Sequence, residues 1–283
     1  MRWQGREQSD NIEDRRRMGV SRGGAQVGGV GLLAIIVIGY FLGFDVTPLL
    51  NGAPQIQSGG GEAEITEADQ RAAEFVSVTL RDTEKVWTEV LRDQRAQTYQ
   101  PVTLVLFKGA TGSACGGASE ATGPFYCPND KKVYLDTGFF TLLEDQLGAG
   151  GDFAQAYVVA HEVGHYVQDE LGILGKVNAL RQRSSEADAN ALSVRIELQA
   201  DCYSGVWARY AADRLGTLEQ GDIAEAMNAA ERIGDDTLQR NAGRRPMPDS
   251  FTHGTSEQRQ RWFAIGYKSG DIETCDTFGA RDL

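Results

Sequence analysis

Histidine is scarce in this chain: 283 residues hold only 3, beside 19 glutamates. Proline is sparse as well, at 7 residues, and no internal repeat is present, which excludes proline-rich and collagen-like architectures. Acidic residues outnumber basic ones, 40 to 28. A formal net charge of −12 argues against a nucleic-acid partner, because phosphate recognition needs concentrated cations. The four cysteines include no C-x-x-C pair, so a cysteine-built zinc cluster is not expected. What is there is a glycine-rich chain, 41% hydrophobic, long enough for one large domain or two small ones.

One long apolar run stands out. Residues 27 to 44, VGGVGLLAIIVIGYFLGF, carry no charged side chain, and as a helix at about 1.5 Å per residue they would cover roughly 27 Å of a roughly 30 Å hydrocarbon core. Arg15, Arg16, Arg17 and Arg22 precede the run, and the first charge after it is Asp45; the positive-inside rule then keeps the N-terminus cytoplasmic and exports the rest. The expected map is a cytoplasmic segment at 1–26, a single transmembrane helix at 27–44, a flexible linker at 45–66, and a domain at 67–283 facing the periplasm or the cell exterior. A cleaved signal peptide, with small residues in NGA at 51–53, is the alternative. In an oxidising space the cysteines can pair. Cys115 and Cys127 bound the loop CGGASEATGPFYC, whose closure is worth about 3 kcal/mol. Cys202 and Cys275 form the expected second bridge, with buried free thiols as the alternative.

Apolar residues at helical spacing predict a long amphipathic helix from Glu67 onward, and β-branched runs predict strands at 101–107 and 131–136, paired in a small antiparallel sheet. Asp152 with Gln155 three residues on reads as a capping box, opening a helix over 153–171 that stops before Gly172. Further helices are expected at 186–213, 219–233 and 255–268. Strands first and helices afterwards indicate an α+β domain, mainly helical.

Two of the histidines lie within HEVGH, residues 161 to 165. Four apart on a helix, His161 and His165 share a face, and both imidazoles can reach one zinc ion at about 2.0–2.1 Å. Glu162, rotated by about 100°, falls beside the metal as a general base and not as a ligand. Chance produces H-E-x-x-H at this composition in roughly one chain in five hundred. A catalytic site needs a third protein ligand, and Glu197, with Asp201 four residues on, is the leading candidate. Asp201 would then hold a ligand histidine through its other N–H; Asp201 itself and Glu186 are the runners-up as ligand. His253, in the polar stretch before a helix, is the best candidate to donate to a developing oxyanion, ahead of Arg259 and Tyr203. Gly164, between the histidines, offers room for another backbone to approach.

The opening MRWQGREQSDNIEDRRR, VVAHEVGHYVQ, SVRIELQADCYSGVWA, GDIAEAMNAAERIGDD and FTHGTSEQR together resemble the bacterial family called putative neutral zinc metallopeptidases, over nearly the whole chain. The resemblance implies a membrane-anchored zincin-like fold holding zinc and acting on peptides. Glu197 and Asp201 match the E-x-x-x-D of gluzincins, where Glu is the third ligand and Asp orients a ligand His. THGTSEQR is similar to the H-[GP]-[ST]-x-x-x-R segment of membrane metallopeptidases of the Ste24 type, where the His lies near the zinc. The competing expectation is a non-enzymatic, zinc-containing module that binds an envelope partner.

Overall fold

A computed structural model describes residues 1–18, 64–119 and 122–283. The apolar run at 27–44, expected to span a membrane, lies outside these residues. Helix α1 (Glu67–Arg95) starts at a Thr66 N-cap whose side chain accepts from the Asp69 amide while Asp69 reaches back, a reciprocal capping box. It ends where Ala96 turns left-handed, and it buries Phe75, Val86, Trp87, Val90 and Leu91.

Four strands form a mixed sheet in the order β1 (Ile12–Asp14), β2 (Thr103–Phe107), β6 (Lys132–Asp136), β5 (Phe125–Cys127). β1 and β6 both run parallel to β2, and only β5 is antiparallel to its neighbour β6. One face of β2 and β6, with Leu104, Leu106, Val133 and Leu135, joins the main core. The other face carries Val105, Phe107 and Tyr134, which pack with Ala118 and Cys127 into a second small core. The hairpin of β3 (Ala110–Ser113) and β4 (Gly116–Ser119) borders that core, pinned by the disulfide Cys115–Cys127. Both faces of β2 are thus covered, so Leu104 to Phe107 read as a continuous apolar run instead of an alternating one.

The helices that follow are α2 (Phe139–Asp145), α3 (Asp152–Glu170), α4 (Ile173–Arg181), α5 (Glu186–Tyr210), α6 (Asp222–Arg232), α7 (Asp235–Asn241) and α8 (Ser256–Ser269). α3 is buried nearly all round, from Phe153 to Val167. It crosses α5 where Gly164 meets the Ala200 backbone, 3.2 Å from a would-be Cβ. α8 lies still closer to α5: a Cβ on Gly205 would overlap the Phe263 carbonyl, and one on Gly266 the Cys202 carbonyl. The second disulfide, Cys202–Cys275, ties α5 to the C-terminal segment.

Several expectations need correction. The expected single transmembrane helix is not shown: the fold is mainly helical with small sheets, and no helix among the described residues is long and apolar enough to cross a membrane. The sheet is not antiparallel. The three-residue β5 intervenes between β2 and β6 in sequence and pairs with β6 as a hairpin, and β6 runs parallel to β2. Asp152 is not the N-cap of α3; Gly151 takes that place at φ 110°, and the Glu225 carboxylate accepts from the Phe153 amide at 3.0 Å. A remote acid does the capping, and a Cβ on Gly151 would overlap it. Residues 1–18, expected to lie apart from the domain, pack against α1 and β2.

Gly266→Ala should cost about 3 kcal/mol of stability, since overlap with a rigid backbone forces two helices apart. The drop is measurable as a lowered denaturation midpoint.

Candidate metal centre

His161 and His165 project from one face of α3 toward Glu197 on α5. His161 Nε2 lies 3.1 Å from Glu197 Oε2, and His165 Nε2 lies 3.5 Å from Glu197 Oε1. Ligand atoms from these three residues all fall within 4.8 Å of one another. Each imidazole is held from behind. His161 Nδ1 donates to Asp201 Oδ1 at 2.9 Å, and His165 Nδ1 donates to Gln168 Oε1 at 2.8 Å. The Gln168 amide is itself oriented, because its nitrogen donates to the Ile196 carbonyl and to Gln199 Oε1. With both Nδ1 atoms engaged as donors, both Nε2 atoms point at the space beside Glu197, the arrangement that metal ligation through Nε2 requires. The donor set of two imidazoles and a carboxylate therefore fits zinc.

Asp201, with 0% exposure, accepts from Tyr157 Oη at 2.5 Å and from Arg259 Nε and Nη2 at 2.8 and 3.0 Å, besides His161. Its position on the Nδ1 side of His161 assigns it to support instead of ligation. Glu186, exposed in the first turn of α5, lies about three turns from Glu197 and takes no part. Arg259 is committed to Asp201 and Tyr157, and Tyr203 packs edge-on to Trp87, away from the site.

A cavity of about 280 Å³ opens over this centre. His161, Glu162, His165, Glu197 and His253 line it, together with the apolar side chains Phe125, Phe139, Leu147, Val158, Ile233 and Leu238. His253 is brought to the wall by Asp235, at the start of α7. Asp235 Oδ2 accepts from the Thr252, His253 and Gly254 amides at 2.7–3.0 Å, and its Oδ1 meets His253 Nδ1 at 3.1 Å. Sequence reasoning missed Asp235, eighteen residues before its partner, and Gln168; only the i, i+3 spacing of Gln168 from His165 offered a signal.

The carboxylates differ in charge state for nameable reasons. Burial pushes Glu162 above the usual carboxylate range, with His161 and His165 pulling the other way. Glu197 is held well below that range, because His165 and His161 outweigh its burial. Asp201 is likewise lowered, as Arg259 and His161 override desolvation. Burial opposes charge on His161, but Asp201 and Glu197 push it up to about 10. His253 is raised against its burial by Asp235.

Residues 1–278 match the family described as "Putative neutral zinc metallopeptidase". The chain belongs to this family. It is 48% identical over 291 residues to the uncharacterized protein YpfJ of Escherichia coli strain K12, covering 99% of both chains. It is 44% identical over 218 residues to the uncharacterized proteins Mb2605 of Mycobacterium bovis and Rv2575 of Mycobacterium tuberculosis, covering 74% of this chain and 71% of theirs. No solved structure matches. The family name speaks of zinc and peptidase action, and these relatives add no substrate.

The Asp235–His253 pair makes the loop pH-sensitive in two directions. Asp235 is lowered despite burial, by His253 and the loop amides, so its contribution is present above the ordinary carboxylate range and lost as pH falls through the lowered pKa. His253 is raised, so its contribution is complete below about 6.5 and lost as pH rises through the raised value. Corrected hydrogen exchange at Thr252, His253 and Gly254 should show greatest protection at mildly acidic pH, with losses on both sides. Protection that ignores pH would remove the charge pair as the loop's anchor.

Proposed function

We propose that the protein is a zinc-dependent peptidase acting on extended peptide segments in the cavity over His161, Glu162 and His165. The observation that carries this reading is a three-donor centre, His161, His165 and Glu197, bordering a cavity and not closed by a fourth protein ligand among the described residues. A structural zinc would be enclosed by four protein ligands, whereas a catalytic one keeps a position open. When bound, zinc would supply Lewis acidity, polarising the scissile carbonyl and acidifying water.

The remaining work falls to side chains. Glu162, raised by burial yet lining the cavity, is suited to accept the proton of the attacking water and return it to the leaving amine. His253, raised by Asp235 against its burial and bonded to it through Nδ1, is suited to donate to the oxyanion. Arg259 and Tyr157 keep Asp201 charged and in place, and Asp201 in turn fixes the His161 ring. β6 has both edges occupied, by β2 and β5. β5 is the edge strand, and Phe125 and Tyr126 line the cavity, so it is the strand suited to align an extended substrate by backbone pairing. The apolar lining at Phe139, Leu147, Val158, Ile233 and Leu238 favours a peptide with an apolar side chain beside the cleaved bond. The two disulfides support an oxidising compartment for the domain.

Purified full-length protein should hold one zinc per chain. Glu162→Gln should keep that zinc and lose peptide hydrolysis by a factor of about 10²–10⁴, with metal content and cleavage of an unfolded protein as the readouts. His161→Ala should lose the metal. Undiminished hydrolysis by Glu162→Gln would overturn the assignment of the base, and full zinc content in His161→Ala the assignment of the site.

A further inference from the structure

We propose that residues 1–18 are a permanent part of the domain that carries the metal centre, and that they lie on the same side of any membrane as that domain. The inference is independent of the peptidase reading.

The packing is specific at three levels. In the backbone, β1 adds to the sheet in parallel register, Ile12 opposite Leu104 and Asp14 opposite Leu106, while the Ser9 amide donates to the Ser77 carbonyl at 3.1 Å and the Arg2 amide to Thr217 at 2.7 Å. Among apolar groups, Trp3 meets Phe75 edge-on with centroids 5.4 Å apart, against the main core.

The third level decides the matter. α1 carries two acids, Asp82 and Glu84, that are 1% and 2% exposed. Two unpartnered carboxylates in such positions would be strongly unfavourable. Their partners come from the N-terminal segment: Arg6 Nη2 donates to Asp82 Oδ1 at 2.7 Å, and Ser9 Oγ and Asn11 Nδ2 donate to Glu84 Oε1 at 2.5 and 2.8 Å. Arg81, from α1 itself, donates through Nη1 to the other oxygen of Glu84, Oε2, at 2.8 Å. In return the segment buries Arg16, 6% exposed, whose Nη1 donates to the Asp69 carbonyl at 2.7 Å. Buried acids of α1 thus meet donors of the segment, and a buried cation of the segment meets an acceptor of α1.

The topological consequence is direct. Residues 1–18 and the residues from 64 onward both pack in the domain, and the apolar run at 27–44 lies between them in sequence. A single membrane crossing in between would put β1 and β2 on opposite faces of a bilayer, so that arrangement and this packing exclude each other. On this packing the arginines ahead of the apolar run have partners in the domain. Arg15 and Arg16, two of the arginines that signalled retention, are bound to Glu13 and Asp14 and to backbone carbonyls of the domain, at Gly112 and Asp69.

The test uses full-length protein in intact cells. All four native cysteines are in disulfides, so Gln4→Cys and Gln182→Cys, at exposed positions on the segment and on the domain, each add one free thiol. A membrane-impermeant maleimide, with lysed cells as the reactivity control, should label both or neither. Labelling of one alone overturns the proposal. In purified full-length protein, Arg6→Ala should lower the unfolding midpoint by about 6 °C or more, because it strands a buried carboxylate. An unchanged midpoint would show that the segment is not docked.

Discussion

A carboxylate with no access to water must be compensated within the protein or give up its charge. Asp201 is such a group, and the way it is compensated dictates how three helices meet. Its two oxygens accept from Arg259 on α8, from Tyr157 and His161 on α3, while Asp201 itself belongs to α5. These bonds require the helix axes to come close. They do so through missing side chains: Gly164 against Ala200, Gly205 against Phe263, Gly266 against Cys202. The glycines and the buried ion pair are one device. Without the close approach, the guanidinium could not reach Asp201; without the guanidinium, the burial of Asp201 would be costly enough to force the helices apart.

From that anchor the division of labour among the acids follows. Three carboxylates lie close to two imidazoles, yet each has a different electrostatic setting. Asp201 faces a permanent cation and stays charged. Glu197 faces both imidazoles and stays charged. Glu162 lies one residue from His161 but is aimed into the cavity wall, where burial outweighs the imidazoles and raises it. Groups of identical chemistry are thus pushed apart in proton affinity, the pattern expected when one is to carry protons and the others are to hold position. Asp235 repeats the Asp201 arrangement on a smaller scale, fixing His253 by its ring and by three amides at once.

What could be read from sequence was what obeys local periodicity. HEVGH, the four-residue spacing of Glu197 and Asp201 and the left-handed Gly172 past the end of α3 are properties of one or two turns of helix. The disulfides followed because pairing Cys115 with Cys127 leaves Cys202 only Cys275. What could not be read depends on encounters between distant segments. Asp235 is an ordinary first-turn acid until the loop before α8 settles on it. Glu225 caps a helix some seventy residues earlier, which no local pattern announces. The parallel order of β2 and β6 turned on β5, too short to stand out from the cysteine loop.

The edges of the sheet show how these distant encounters bear on the site. β1 ends the sheet on one side with three residues, and its acids are tied to neighbouring cations: Glu13 to Arg15 and Lys132, Asp14 to Arg16. Short, charged edge strands resist pairing with other chains. β5 ends the sheet on the other side, apolar and aromatic, with Phe125 stacked on Tyr134 and Tyr126 bonded to Asp169 near the end of α3. The strand beside the cavity is therefore tied to the same helix that carries His161 and His165. An extended chain that paired with β5 would be placed in register with the metal centre by the helix itself, while the opposite edge is closed by charge.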